Sequence, residues 1–498
     1  MSIENKKEKS SPDLFKRSVK GGAWVFALRV LTQMLSLGRY VLLMNILGVN
    51  YMGLLGIAML LMQILDSFSN TGFGAALIQK DKKLDSYLST AWTIGIIRAF
   101  LLFAILFVAA PYFANWKAEP EDVSLTISII RVLGLSFFIG ALGNIGIIHF
   151  RKELQFHKQF IIQIIPSLIS ITVTVALVLI YKSVWSLVIG RLSANLFRCI
   201  FSYAMHPFRP KLQFQTQKAR EMWQFGKWVM GSTIIGFLAH QGDDFFVMAY
   251  INVGALALYQ AAYKFSNIPA TEITHLISQV TFPAYSKIKN DIPRLCEAYF
   301  KILQFNACLS IPIAALIFIL SPEFVTLFLD PEWQPIIPVM QTLTIFGLSR
   351  SIGATTGPVF QAVGRPDLIT KIGLCKLVFL AIIIFPLTRK WGIVGTSTAI
   401  IIASVGAQPV IQFLILKILQ SNLQKLCRVL VFPAIATIPM LAAIVWFKSF
   451  HQEISIGWFI SMVITGIITY ITGLLFLDYL FTFGIRKIIR EQLASIRK

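Results

Sequence analysis

Apolar runs of about 20 residues recur along the whole chain, and they constrain its fold more than any other feature. At about 1.5 Å of rise per helical residue, such a run matches a hydrocarbon core of roughly 30 Å. Lipid offers peptide groups no hydrogen-bonding partner, so each run must be α-helical. Divided at charged or Pro/Gly-rich breaks, the sequence predicts fourteen spans, at 21–46, 51–78, 86–112, 124–149, 157–181, 184–205, 226–250, 254–282, 299–320, 334–360, 367–387, 391–416, 429–447 and 455–478. A content of 56% hydrophobic and 14% charged residues excludes an ordinary soluble domain. The opening MSIENKKEKSSPDLFKRSVKGGAW has no short apolar stretch followed by a cleavage site, so the first span is expected to act as the insertion signal. Cys199, Cys296, Cys308, Cys375 and Cys427 show no paired or metal-binding spacing, and no disulfide framework, metal or cofactor is expected.

Charge orients these spans. Of the 45 Lys and Arg residues, 31 fall in every second loop or the span ends beside it, whereas the alternate loops hold only Lys117, Lys182, Arg389, Lys390 and Lys448. That asymmetry places both termini in the cytoplasm and accounts for the net charge of +22 without nucleic-acid binding. The tryptophans agree, since all ten fall near expected span ends, where an indole keeps its body in lipid and its N–H near water.

The longest polar interruption, from His206 to Trp228, divides the spans six and six. The organisation expected is a basic cytoplasmic N-terminus (1–20), an N-lobe (21–205), an inter-lobe linker (206–225), a C-lobe (226–418), an additional helix pair (419–480) and a basic tail (481–498). An offset of 204 pairs Gly22 with Gly226, Trp24 with Trp228 and Met44 with Met248, the mark of parallel repeats. The tail FGIRKIIREQLASIRK reads as an amphipathic helix on the inner leaflet.

The segments KRSVKGGAW, RYVLLMNILGVNYMGLLGIAMLL, SNTGFGAALIQK, IIHFRKELQFHKQF and FQAVGRPDL resemble the multidrug/oligosaccharidyl-lipid/polysaccharide (MOP) exporter superfamily, in its polysaccharide transporter branch of O-antigen, colanic-acid and teichuronic-acid flippases. The resemblance implies an all-α integral membrane fold of two six-helix lobes in a V-shaped arrangement plus two C-terminal helices. It further implies alternating access and an undecaprenyl-pyrophosphate-linked oligosaccharide as cargo in a bacterial inner membrane. Membrane lipids and other polysaccharide assembly proteins are its implied partners.

Nine basic residues lie within spans: Arg29, Arg39, Arg98, Arg131, Arg191, Arg198, Lys264, Arg350 and Lys376. Four acids accompany them: Asp66, Asp243, Asp244 and Glu272. An ionised group at the bilayer centre costs at least about 2.5 kcal/mol, so these groups must face a wet cavity or each other, and the surplus of bases calls for an anionic visitor. Arg39, Arg98, Arg191, Lys264 and Arg350 are the candidate substrate contacts, because arginine grips phosphate oxygens bidentately. Arg29, Arg131 and Arg198 lie near enough to span ends to snorkel. Asp243 and Asp244, with Asp66 and Glu272, are candidates for coupling to H+ or Na+, or else ion-pair partners, with Arg39 the repeat-related partner of Asp243. Gln33, Gln63, Gln163, Gln241 and Gln260 can hydrogen-bond between helices or contact sugar hydroxyls.

No G-x-x-x-x-G-K-[ST] stretch occurs, which argues against direct ATP drive, and no H-E-x-x-H helix or large outer loop offers a catalytic floor. The outer loops around PYFANWKAEPEDV and SPEFVTLFLDPEWQP read as short, hinge-like lids. A drug/cation antiporter of the same superfamily and a membrane-bound polymerase or acyltransferase are the rival functions, the first disfavoured by the positive surplus.

Overall fold

The structure, a computed structural model, describes residues 12–79, 84–153, 155–268, 281, 285–286, 288–450 and 455–481, with the backbone alone for 12–30 and 156. It is all-α, with no strand among the described residues. The helices are α1 (Pro12–Ser69), α2 (Phe73–Gln79), α3 (Leu84–Lys117), α4 (Val123–Ala141), α5 (Ile148–Lys152), α6 (Phe156–Tyr181), α7 (Trp185–Met205), α8 (Thr216–Tyr250) and α9 (Val253–Ser266). After them come α10 (Ile292–Phe328), α11 (Ile336–Gly353), α12 (Gly357–Ala362), α13 (Pro366–Ile418), α14 (Leu423–Lys448) and α15 (Ile456–Phe481). Among the described residues, eight helices are each long and apolar enough to cross a membrane. The chain is a multi-pass membrane protein.

Two of those eight, α1 and α13, hold two expected spans apiece. Gly48 breaks α1 at φ 75°, and Gly392 breaks α13 at φ 57°. Both angles lie where a Cβ would clash with the backbone, so glycine lets each pair of spans reverse without a loop. Elsewhere the helices overrun their expected ends. The segment 322–333, expected as an outer lid, is helical to Phe328 in α10, and Trp333 behind it is 0% exposed. A ring buried that completely packs as core and is unsuited to a lid. Similarly, α3 continues to Lys117.

Contacts divide the chain into two compact units, one running to Gly254 and the other starting at Ala255. The sequence draws its lobe boundary earlier, at 206–225. The first unit keeps α8 because that helix lies against α1, α2 and α3. The non-helical linker is also stitched to this unit. Asn144 Nδ2 donates to the carbonyls of His206 (3.1 Å) and Phe208 (2.7 Å). Further along, the amide of Gln213 donates to Thr93 Oγ1 at 3.0 Å and Tyr87 OH to Glu221 at 2.7 Å.

Lipid is as apolar as leucine, so packing within each unit depends on close fit more than on expulsion of water. Where α6 meets α7, a Cβ on Gly190 would stand 1.9 Å from Thr174 Oγ1 and 3.2 Å from the Ser170 carbonyl. In the second unit α10 is the hub, touching α11, α14 and α15. Leu320, Met440, Ile444, Met462 and Tyr470 form the seam with the last two helices, and Tyr470 OH donates to the Cys308 carbonyl at 2.7 Å. Lys448 closes that seam with an ion pair to Glu323 at 2.6 Å. The tail and its expected surface helix lie outside the described residues.

Candidate functional site

The cations of the first unit fall into two environments. Arg98 on α3 is already neutralised: its guanidinium reaches Asp66 Oδ1 at 2.5 Å, the Asp66 carbonyl at 2.9 Å and Ser69 Oγ at 3.0 Å, all in the last turn of α1. It therefore ties α3 to the end of α1, with Asp66 as its counter-ion. Arg131 sits over the Phe107 ring, 4.0 Å from the centroid, and donates to the Phe107 carbonyl at 3.3 Å.

Among the described residues, Arg39 and Arg191 find only uncharged acceptors for their hydrogens. Arg39 donates to Ser170 Oγ at 3.3 Å while its Nε is buried without a partner. Arg191 reaches Met59 Sδ at 3.8 Å. Arg39 feels the charge of Arg191, and Arg191 feels that of Arg198. Arg191 and Arg198 stand seven residues apart on α7, about 10.5 Å along the axis. At an effective dielectric near 20, two such charges repel by about 1.6 kcal/mol. Among the described residues no carboxylate pairs with any of the three, and Arg39 is not paired with Asp243.

Asp243 and Asp244 on α8 are 7% and 8% exposed, and Tyr40 on α1 lies within electrostatic reach of Asp244. Both carboxylates are thus held inside the first unit beside α1. Glu272, and the side chain of Arg29, lie outside the described residues.

The second unit gathers cations around aromatic rings. Arg350 on α11 donates to Tyr263 OH at 2.9 Å. Tyr263 and Phe346 stand 6.1 Å apart, and Lys376 Nζ lies 5.2 Å above the Phe346 ring. Lys264 is half-buried next to Tyr263 in the chain. Phe346 is only 4% exposed, so its ring holds Lys376 by a cation–π contact from within the packed unit. Sequence reasoning missed Tyr263 and Phe346. The available signal was Phe346 at four residues before Arg350, one turn away on the same helix face.

A separate polar assembly joins α3, α5 and the linker. His149 Nε2 meets Asp85 Oδ1 at 2.9 Å, and its ring stacks on His206 at 5.2 Å with a 7° tilt. The amide of Phe208 donates to His206 Nδ1 at 3.1 Å. A cavity of about 520 Å³ opens here, lined by Asp85, His149, Glu153, Lys158 and His206. Burial, then the neighbouring His149, lowers the His206 pKa below the usual histidine value, against the pull of Asp85 and Glu153. Among the described residues no His, Cys, Asp or Glu cluster could hold a metal ion.

Residues 42–338 match the family described as polysaccharide biosynthesis protein. The teichuronic acid biosynthesis protein TuaB of Bacillus subtilis (strain 168) is 27% identical over 60% of this chain, so the match spans 61% of that relative's length. The lipopolysaccharide biosynthesis protein WzxC of Escherichia coli (strain K12) is 25% identical over 73% of each chain. Among solved structures, the lipid II flippase MurJ in an inward closed conformation superposes with a TM-score of 0.75 at 16% identity, covering 92% of this chain and 99% of that one. An inward-facing MATE family transporter of the MOP superfamily gives 0.61 at 16% identity, over 78% and 96%. These likenesses establish the fold.

Proposed function

Since the chain belongs to the polysaccharide biosynthesis protein family, we propose that it is a flippase that moves an undecaprenyl-pyrophosphate-linked oligosaccharide repeat unit across the bacterial cytoplasmic membrane. The repeat would serve O-antigen, capsule or exopolysaccharide. One observation carries the reading: half-buried Arg39 meets Ser170, exposed Arg191 meets Met59, each lies within electrostatic reach of the other, and among the described residues no acid pairs with either. Such a site is tolerable in a membrane only if water or an anion fills it, and a pyrophosphate diester supplies two charges on adjacent oxygens that a guanidinium fork matches. In the second unit, Arg350 bonded to Tyr263 and Lys376 set over the buried Phe346 ring are two further membrane cations that add to the positive surplus. Names of relatives support the same assignment, since teichuronic acid and lipopolysaccharide are both surface polymers.

In this reading the protein alternates between states open to either side, with both termini in the cytoplasm. Asp243 and Asp244 exchange H+ or Na+ as the access changes, because a ligand drives a conformational cycle only through unequal affinity for its two states. The site moves cargo without making or breaking a covalent bond. The test is a deletion strain together with reconstituted vesicles. The strain should accumulate lipid-linked oligosaccharide accessible only from the cytoplasmic side, and vesicles bearing the protein should flip it. Failure to flip, combined with gradient-driven efflux of a cationic dye, would assign the chain to the antiporters instead.

A further inference from the structure

The chain leaves α7 at Met205 and enters α8 at Thr216 with no helix between, so the backbone there needs partners from outside itself. Asn144, 1% exposed, supplies several: its Oδ1 accepts the amide of Gly146, and its Nδ2 donates to the carbonyls of His206 and Phe208. The His206 ring completes the turn by accepting the amide of Phe208 at Nδ1. A Cβ on Gly146 would run into that ring, so the seat is a close fit. Phe208 in turn packs on the cluster of Phe73, Leu77, Leu88 and Ile148, into which α8 inserts the fully buried Met222. Linker and α8 therefore share one small core. The first turns of α3 bind both as well, since the Ser86 carbonyl accepts Lys218 and Thr93 Oγ1 accepts the Gln213 amide.

Imidazole can accept at Nδ1 only while that nitrogen carries no proton. Protonation of His206 would turn the acceptor into a donor facing the Phe208 N–H, and would set a cation 5.2 Å from the stacked ring of His149. The surrounding charges do not compensate. Asp85 on α3 and Glu153 just past α5 both meet His149, at 2.9 and 3.6 Å, and among the described residues neither bonds to His206. Lys158 on α6 is a further cation lining the same cavity, and Arg209 binds the His206 carbonyl at 2.8 Å. That cavity opens beside the pair, so water and protons reach the ring.

We propose that His206 is a proton-operated catch on the linker: neutral, it holds the turn at 206–208 closed and the Thr216 end of α8 seated on α2 and α3, and protonated, it releases both. The inference goes beyond the flippase reading and does not depend on what the protein carries. Burial, then His149, favours the neutral ring in the closed state, so the catch holds fully above about pH 6.5 and weakens as pH falls through the lowered value. The protein thereby responds to acidification on the linker's side of the membrane.

The test is hydrogen–deuterium exchange of the full chain in nanodiscs over about pH 5 to 8, spanning the ordinary histidine value, with rates corrected for the intrinsic pH dependence of amide exchange. Peptides covering 206–226 should exchange about tenfold faster at the acid end, whereas those of α10 should not change. His206→Asn keeps an acceptor for the Phe208 amide and cannot titrate, so it should stay protected throughout. His149→Gln removes the neighbouring ring and should move the midpoint to higher pH. Wild-type exchange independent of pH would overturn the proposal, as would an acid response kept in full by His206→Asn. Opening confined to 206–215, with 216–226 still protected, would overturn the link to α8. Should His206→Asn fail to insert, His149→Gln decides: an upward midpoint supports the catch, and an unmoved one overturns it.

Discussion

Arg98 separates structural from transporting charge most sharply. Its three hydrogen bonds all end in the last turn of α1, but only one needs the Asp66 carboxylate; the others go to a backbone carbonyl and to Ser69. Asp66→Asn therefore keeps two acceptors and removes one charge. With side-chain exposures of 27% for Arg98 and 57% for Asp66, the lost attraction is worth about 1 kcal/mol or less. Arg98→Gln removes all three contacts and leaves Asp66 uncompensated, a cost of about 2–3 kcal/mol at roughly 1 kcal/mol per bond. The double variant should then be more stable than the sum of the single losses, with a coupling of about 1 kcal/mol. Thermal melting of detergent-purified protein measures the cycle, and export in the deletion strain, normalised to the amount in the membrane, measures function. Arg98→Gln should lose export only in proportion to abundance. Export abolished at wild-type abundance and melting temperature, unrelieved by Asp66→Asn, would show that Arg98 grips cargo and refute the argument.

Gly190→Val should sharply lower membrane abundance, because its Cβ would stand 1.9 Å from Thr174 Oγ1, and Thr174→Ala should restore part of the loss on immunoblots. His206 titrates below the usual histidine value, so its neutral form is favoured in the folded protein, and the stability it confers is present above about pH 6.5 and lost as pH falls through its lowered value. Proteolytic nicking of 206–215 should therefore rise on acidification, and His206→Asn should abolish that pH dependence. Asp243→Asn and Asp244→Asn vesicles should differ from wild type in how flipping depends on proton or sodium gradients; if neither does, coupling belongs to another carboxylate.

The apolar runs revealed the spans because length and hydropathy are local properties, and α10, α14 and α15 cover their expected positions. Gly48 and Gly392 were less legible, since a glycine in an apolar run reads equally as packing or as a reversal until its φ is known. Pairing was hidden for a different reason. Asp66 and Arg98 are 32 residues apart, and nothing local tells a paired arginine from an uncountered one. Glu323 and Trp333 looked like loop residues because Pro322 and Pro331 flank them, whereas α10 carries Pro322 inside it.

The last two helices attach to the rest of their unit through α10, along Leu320, Met440 and Tyr470 and the Glu323–Lys448 pair. Ribosomes deliver these helices after α10, so α10 must wait in the bilayer with that face bare, and with Glu323 uncompensated, until Lys448 emerges. A chain stopped after Ile418 would stay in that state permanently. Loss of the helix pair would leave Glu323 without its Lys448 counter-ion and expose the Leu320 side of α10.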